Sequence, residues 1–288
     1  MESASRVQPW ERAGVDCCVP DGLPIAQALA RTTHLGIGAH ADDLEIFAIS
    51  AILECFEHPE RWFTGVTLSD GAGSARGALG AISDAELVAR RRQEQREAAR
   101  LGRYSAQLQF GYPSAQLKDR DARERAIDEL VQVLRATQPE IVLTHNLCDR
   151  HDTHVATTLC VLRACQRLSA SERPQQLLGC EVWRDLDWLV DAQRVALLAD
   201  QQEPLQRALL EVFESQLGGG KRYDLATLGR RRAHATYSAS HVSDAHEGLV
   251  FAMDLSELLH GGDERQLVER AISAFREDVF SRLSRLGS

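Results

Sequence analysis

Short apolar runs alternate along this chain with amphipathic segments of helical length, and the spacing between them suits crossover connections. His34–Ala39 (HLGIGA) is apolar and of buried-strand length, and Leu44–Phe56 (LEIFAISAILECF) has helical spacing. Phe63–Leu68 is a second strand, closed by the loop composition of Ser69, Asp70, Gly71, Ala72 and Gly73. Ser83–Gly102 follows as a charged helix, with Ser83 and Glu86 at capping-box spacing and Gly102 in the stop position. Leu108–Phe110 is a short strand, Asp121–Ala136 a helix with Ile127, Leu130, Val131 and Leu134 apolar, and Ile141–Thr144 a strand after Pro139. The alternation predicts an α/β, Rossmann-like fold: a largely parallel sheet with helices on both faces. In such a sheet the chemistry belongs in loops beyond the carboxyl ends of the strands, here after Ala39, Leu68 and Thr144.

Around this core the pattern is looser. Residues 1–30 read as an irregular N-terminal extension broken by Pro9, Pro20 and Pro24, and residues 31–288 as one domain. Its core spans 31–183, and the segment 184–288 completes the substrate pocket. Val155–Leu168 is a helix, Gly179–Trp183 a strand, Pro204–Leu217 a long helix ended by Gly218, Gly219 and Gly220, and Asp224–Ala235 a further helix. Asp263–Leu286 places Leu267, Ala271, Phe275 and Val279 one turn apart, so it is expected to pack on the body or on a second subunit of a homo-oligomer.

Charge and composition exclude some functions. Of 288 residues, 33 are Lys or Arg and 42 Asp or Glu, a net −9 that argues against a nucleic-acid partner and for a neutral or cationic small substrate. No apolar run reaches the roughly 18 residues of a membrane span. The polar, acidic N-terminus lacks the basic start and apolar run of a secretory signal, so a cytoplasmic location is expected. Seven cysteines, an odd number without a CxxC pair, fit neither a disulfide framework nor a cysteine zinc site.

The first strand runs into Ala39-His40-Ala41-Asp42-Asp43, and the strand Ile141–Thr144 into His145-Asn146-Leu147-Cys148-Asp149-Arg150-His151-Asp152-Thr153-His154. An imidazole and a carboxylate from one loop, with an imidazole from the other, make a three-ligand site for a divalent metal that keeps a position open for water. Adjacent aspartates point in different directions, so one can bind metal while the other serves as general base. Gly36 to Ala41 also fits the GxGxxA dinucleotide fingerprint, but the acidic loop would repel a pyrophosphate. The runs Arg90-Arg91-Arg92 and Arg230-Arg231-Arg232 read as solvated helix faces or subunit contacts. Gly218 to Tyr223 is either a lid, with Lys221 or Tyr223 reaching the substrate, or a plain helix C-terminal turn. Glu181 and Trp183 alternate on a strand-like run, as a hydroxyl acceptor and a stacking platform for a sugar would.

These residues resemble the PIG-L (LmbE-like) N-acetylglucosamine deacetylases, which share AHPDDE and a later HPDH. The matches are Ala39-His40-Ala41-Asp42-Asp43 with Leu44-Glu45, and His151-Asp152-Thr153-His154. Val66-Thr67-Leu68-Ser69-Asp70-Gly71 is similar to the family's VTLTDG, Arg90 through Leu101-Gly102 to its R..E...A...LG helix, Asp149-Arg150-His151 to a DRH run, and Glu181-Val182-Trp183 to its E.W segment. The resemblance implies zinc, or another divalent metal, held by His40, Asp43 and His154. It implies Asp42 as the base acting on water and His151 as an imidazolium that stabilises the oxyanion and protonates the leaving amine, with Arg150 at the substrate or oxyanion. Asp70, Arg90, Glu181, Trp183, Lys221 and Tyr223 are the expected substrate-binding residues.

The chain departs from that pattern at Ala41, which replaces a proline, and at Asp152-Thr153, which stands where the family has Pro-Asp. The family aspartate orients the histidine equated with His151, so Asp152 or another group must replace it. Gln93 fills the glutamate slot of the R..E helix, with Glu94 beside it, and Ser114 stands where an aspartate is common. The expected activity is zinc-dependent deacetylation of an N-acetylglucosamine-type amino sugar or conjugate. Two alternatives stand beside it: an amidase on a thiol-sugar conjugate or other small N-acyl amine, and a catalytically weak relative that binds a sugar or metal.

Overall fold

The computed structural model describes residues 8–73, 76 and 79–287. Its framework is an eight-stranded sheet in the order β1-β4-β3-β2-β5-β6-β8-β7. The strands are β1 (Asp16–Cys18), β2 (His34–Gly38), β3 (Phe63–Ser69), β4 (Ala106–Tyr112), β5 (Ile141–His145), β6 (Gln176–Cys180), β7 (Arg194–Leu198) and β8 (Leu249–Asp254). The five central strands are parallel; β1 pairs antiparallel with β4, β8 with β6, and β7 with β8. The chain winds one way from β2 through β3 to β4 and the other way from β5 to β6. The boundary between β2 and β5 is therefore the crevice where open α/β sheets bind ligands.

Helices cover both faces. They are α1 (Ile25–Ala30), α2 (Asp43–Phe47), α3 (Ile49–Cys55), α4 (Asp84–Leu101), α5 (Ser114–Lys118), α6 (Glu124–Thr137), α7 (Asp152–Gln166), α8 (Glu203–Glu211), α9 (Glu214–Leu217), α10 (Tyr223–Thr236) and α11 (Glu264–Leu286). One core sets Ile37, Val66, Leu108 and Val142 of the sheet against Ile127, Leu130 and Leu134 of α6 and Val161 of α7. The other sets Phe63, Leu143 and Leu178 against Leu44 and Phe47 of α2, Ile52 of α3, and Leu209 of α8. Each such fully buried side chain contributes about 1.5–3 kcal/mol. The glycines of the apparent dinucleotide fingerprint serve this packing: a Cβ on Gly36 would lie 2.6 Å from Phe63 and 3.0 Å from Leu44. They let α2 settle onto β2.

Several expected elements are corrected. Residues 8–30, read as irregular, hold a short 3-10 helix (Pro9–Glu11), β1 and α1; residues 1–7 lie outside the described residues. Leu44–Phe56 is two helices that meet at Ala48, and Pro204–Leu217 divides into α8 and α9 around the buried Phe213. The strand expected at Gly179–Trp183 ends at Cys180, so Glu181 and Trp183 follow it in a loop. The capping box of α4 is present, Ser83 Oγ accepting from Glu86 N and Glu86 accepting from Ser83 N. α11 buries only Leu267 and Ala271, while Phe275 meets Trp188 with ring centres 6.2 Å apart. Beyond these, Ile272, Val279, Phe280 and Leu283 are exposed. No helix among the described residues is long and apolar enough to cross a membrane.

Candidate active site

The loop after β2 is held from both neighbouring strands. Ser69 N donates to Ala39 O at 2.8 Å, and Ala39 N lies 2.9 Å from His145 Nε2 at the end of β5. Asp42 takes φ +86°, a left-handed conformation in which Asp is among the tolerated side chains. That turn separates the two aspartates. Asp43 points back and accepts from His40 N at 2.7 Å, and both aspartates border an open cleft.

The loop after β5 is shaped by its own polar side chains. Asn146 Oδ1 accepts from Cys148 N and its Nδ2 donates to Cys180 O, while Asp149 accepts from His151 N at 2.9 Å and Trp183 N at 3.1 Å. The buried Asp149 carboxylate also lies 3.4 Å from His154 Nδ1. Carboxylate contacts of this kind orient a ligating imidazole and set its tautomer.

These constraints bring the three expected ligands together. His40 Nδ1 is 3.2 Å from His154 Nε2 and 3.3 Å from Asp43 Oδ2, and His154 Nε2 is 3.5 Å from Asp43 Oδ1. Nitrogen and oxygen ligands about 2.0–2.1 Å from a tetrahedral zinc stand roughly 3.3 Å apart. The donor set, two imidazoles and a carboxylate, fits a divalent metal. Two overlapping triads have donor atoms within 4.8 Å of one another, His40 with His151 and His154, and Asp43 with His145 and His154. His145 Nε2 also sits 3.2 Å from Asp43 Oδ2, but its contact with the Ala39 amide occupies that nitrogen, and its ring stacks on His154 at 3.8 Å.

Electrostatics divide the roles further. Burial and the neighbouring charge of Asp43 push the Asp42 carboxyl well above the usual range, with Arg91 pulling the other way. Burial also opposes ionisation of Asp43, yet His154, His145 and the bond with His40 hold it well below that range. Burial, then His145, lowers His154 to about 4, which leaves a neutral imidazole able to ligate. Burial and His40 lower His151 as well.

The cleft has a volume of about 490 Å³ and is lined by His40, Asp42, Asp43, Ile46, His151, Trp183, Lys221, Tyr223 and Arg230, among others. Lys221 Nζ lies 4.5 Å from the centre of the Trp183 ring, and Tyr223 meets that ring edge-on at 6.2 Å. Four expected site residues lie elsewhere. Arg150 is exposed, outside the cleft lining. Asp70 accepts from Ala72 N and faces a separate cavity beside Arg92 and Gly111. Arg90 pairs with Glu94 and Glu214. Glu181 is buried, accepting from Leu186 N and Phe251 N, with His234 Nε2 2.8 Å away; it fastens β8 and α10 to the loop after β6. Asp152 is exposed, and no carboxylate among the described residues lies within ion-pair distance of the His151 ring, whose Nδ1 is buried without a hydrogen-bond partner.

Both three-arginine runs, read as surface features, have a buried middle member. Arg91 donates to Gly71 O at 2.7 Å and to Gln216 Oε1 at 2.8 Å, and Gln216 in turn donates to Ala41 O. Arg231 donates to Glu45 O, Ile46 O and Gln206 Oε1. Arg91, through Gln216, braces the loop that carries Asp42, and Arg231 braces α2, which follows it. Asp149 and His145 were within the quoted motif, but nothing in the string marked their contacts.

Comparison with known proteins places this geometry. The family model described as GlcNAc-PI de-N-acetylase, PIG-L, matches residues 35–165. No curated protein sequence matches the chain significantly. The fold is similar to that of the 4-carboxy-2-hydroxymuconate hydratase GalB from Pseudomonas putida KT2440, with a TM-score of 0.60, 19% identity, and coverage of 78% of this chain and 95% of that one. It is similar to the A40926 pseudoaglycone deacetylase Dbv21 (TM-score 0.56, 18% identity, 78% and 97% covered). It is also similar to the N,N'-diacetylchitobiose deacetylase from Pyrococcus horikoshii (TM-score 0.54, 17% identity, 77% and 84% covered). At these identities the likeness concerns the fold. The stretch that holds His40, Asp42, Asp43, His151 and His154 is the stretch the family model covers, and residues 35–165 form a PIG-L family domain.

Proposed function

We propose that this protein is a zinc-dependent hydrolase that deacetylates an N-acetylglucosamine-type amino sugar or its conjugate. The observation that carries the reading is the convergence of His40, Asp43 and the fully buried His154, with donor atoms 3.2–3.5 Å apart, beside a cleft that His40, Asp42 and Asp43 line. The description of the matched family and the deacetylases that share the fold support an acyl amide as the bond broken. A His/Asp/His set also accepts iron, manganese or cobalt. The seven cysteines are all free, which supports a cytoplasmic setting.

A dication held by His40, Asp43 and His154 would supply Lewis acidity toward an acyl carbonyl and lower the pKa of a water. Asp42, at the cleft wall, takes the proton of the attacking water. Its elevated pKa lets it keep that proton and pass it to the amine nitrogen as the C–N bond breaks. His151 was expected to act as an imidazolium; burial and His40 favour its neutral form, in which a ring N–H donates to the carbonyl oxygen as negative charge develops there. Trp183 and Tyr223 offer ring faces to a sugar.

The test is elemental analysis of the purified protein together with amine release from N-acetylated amino sugars, with and without a chelator. About one zinc per chain and chelator-sensitive release are expected. Metal without release from any acetylated sugar would overturn deacetylation, and the hydratase that shares the fold makes addition of water to a carbon–carbon double bond the next reaction to assay.

A further inference from the structure

The last helix carries an apolar stripe that the body of its own chain leaves bare. α11 is anchored at its start, where Leu267 and Ala271 are buried, but every residue from Val279 to Gly287 is exposed. Helices in proteins draw most of their stability from packing an apolar face, and these turns have little of their own chain to pack against. Ile272, Phe275, Val279, Phe280, Leu283 and Leu286 are between 36% and 79% exposed. At about 200 Å² for a fully exposed side chain of this size, they present roughly 600 Å² of apolar surface, as much as monomeric proteins usually leave in one patch. Two such faces together cover about 1,200 Å², the area at which specific, stable interfaces begin.

The order of the apolar residues says what covers the stripe. Ile272 and Phe275 stand seven and four positions before Val279, and Leu283 and Leu286 four and seven positions after it, offsets that share one helix face. The stripe therefore reads the same in either direction, which is the condition for a face to pair with itself about a twofold axis. We infer that α11 of a second copy packs antiparallel along this stripe, with the axis at Val279, so that the protein is a homodimer. Ile272 of one copy then meets Leu286 of the other, and Phe275 meets Leu283. The bare final turns of each helix lie against the anchored half of the other, where the Trp188 ring flanks Phe275 at 6.2 Å. The same register brings Asp278 of one copy beside Arg282 of the other; within one chain these two pair at 3.1 Å, and opposite charges at the border suit the polar rim of an interface. A lipid surface makes no use of the mirror order, and the flanks of α11 mix Glu269 and Asp278 with Arg276 and Arg282, where a bilayer favours Lys and Arg.

The test is sedimentation equilibrium of the full chain over a wide concentration range, with thermal unfolding as the control for folding. The protein is expected at twice the mass of one chain. Val279→Glu, which sets two carboxylates against each other at the axis, is expected to raise the dissociation constant at least tenfold, and Ser273→Glu, exposed and away from the stripe, to change it less than twofold. Charge exchange tests the register. Ile272→Glu and Leu286→Lys are each expected to weaken the dimer, and the two together to restore it at low salt, because each carboxylate then faces an ammonium of the other copy. A chain that stays monomeric at every concentration, or a dimer that Val279→Glu leaves intact, overturns the proposal. Weakening by both single substitutions without recovery in the double variant overturns the antiparallel register. A monomer that co-sediments with phosphatidylglycerol vesicles, and ceases to with Val279→Glu, overturns the dimer in favour of a lipid surface.

Discussion

Asp42 and Asp43 are neighbours in sequence with opposite electrostatic fates, because the left-handed turn at Asp42 separates the two carboxylates: both border the cleft, but only that of Asp43 lies among His40, His145 and His154. Loss of the first should therefore affect turnover and loss of the second metal. Asp42→Asn is expected to lower kcat by about 10²–10⁴, the usual contribution of a general base, with metal content unchanged; unchanged kcat would remove Asp42 from the mechanism. Asp149→Asn, which removes the carboxylate beside His154 Nδ1, is expected to weaken metal affinity about 10–100-fold in a chelator competition. Of the proposed ligand and base positions, His40, Asp42 and Asp43 were legible because they follow directly on the apolar strand β2, and His154, in the first turn of α7, because a histidine-rich run leads to it from the end of β5. Arg91 and Arg231 were not. A run of three arginines has the same composition whether its middle member faces water or a carbonyl, and only the helix packed against it decides which.

Among the elements, α10 bears most directly on the site without taking part in the chemistry. Arg231 ties it to the end of α2 through Glu45 O and Ile46 O, groups with no further turn of α2 to satisfy them. Arg231→Met would leave those carbonyls and Gln206 unpaired, and a loss of about 2–4 kcal/mol is expected in urea unfolding. α2 also contains Glu45, fully buried and accepting from Tyr104 OH at 2.7 Å and Gln95 Nε2 at 2.8 Å. Burial raises its pKa to about 7, against the lowering effect of those two bonds. The folded chain then keeps a proton that the unfolded chain releases near 4.5, so this residue's penalty grows as pH rises from about 4.5 to 7 and is complete above that. Glu45→Gln mimics the protonated acid. In the presence of chelator it is expected to stabilise the protein at pH 8, by up to about 3 kcal/mol, and to change little at pH 4.5. A gain at pH 4.5 as large as at pH 8 would rule out ionisation as the cause.

At the level of the whole molecule, the alternating pattern was enough to predict a largely parallel core, because β2, β3 and β5 carry apolar runs followed by helices; β4, interrupted by Gln107 and Gln109, and β6, of which only Gly179 and Cys180 fell in an expected strand, were read less completely. Of the antiparallel flanks, β1 has three residues and β7 is a partly exposed edge strand without a buried run, whereas β8 is a buried apolar run, Leu249–Asp254, that the alternation left unassigned. The same architecture would make a metal held by His40, Asp43 and His154 a long-range fastener. His40 and Asp43 follow β2, which leads the winding toward β3 and β4, whereas His154 lies on α7, between β5 and β6 on the other side of the switch. A ligand bound only by the folded chain stabilises it by RT ln(1 + [L]/Kd), about 2.7 kcal/mol at a free concentration one hundred times Kd. With roughly 2–4 °C per kcal/mol for a large domain, zinc at that excess should raise Tm by about 5–10 °C, and chelator should reverse the rise. Asp43→Ala and His154→Ala each remove one side of the fastener, so the zinc-dependent shift should vanish in both while it persists in Asp42→Asn. A shift of full size in either ligand variant would mean that the metal binds elsewhere and that the two halves of the sheet are held together without it.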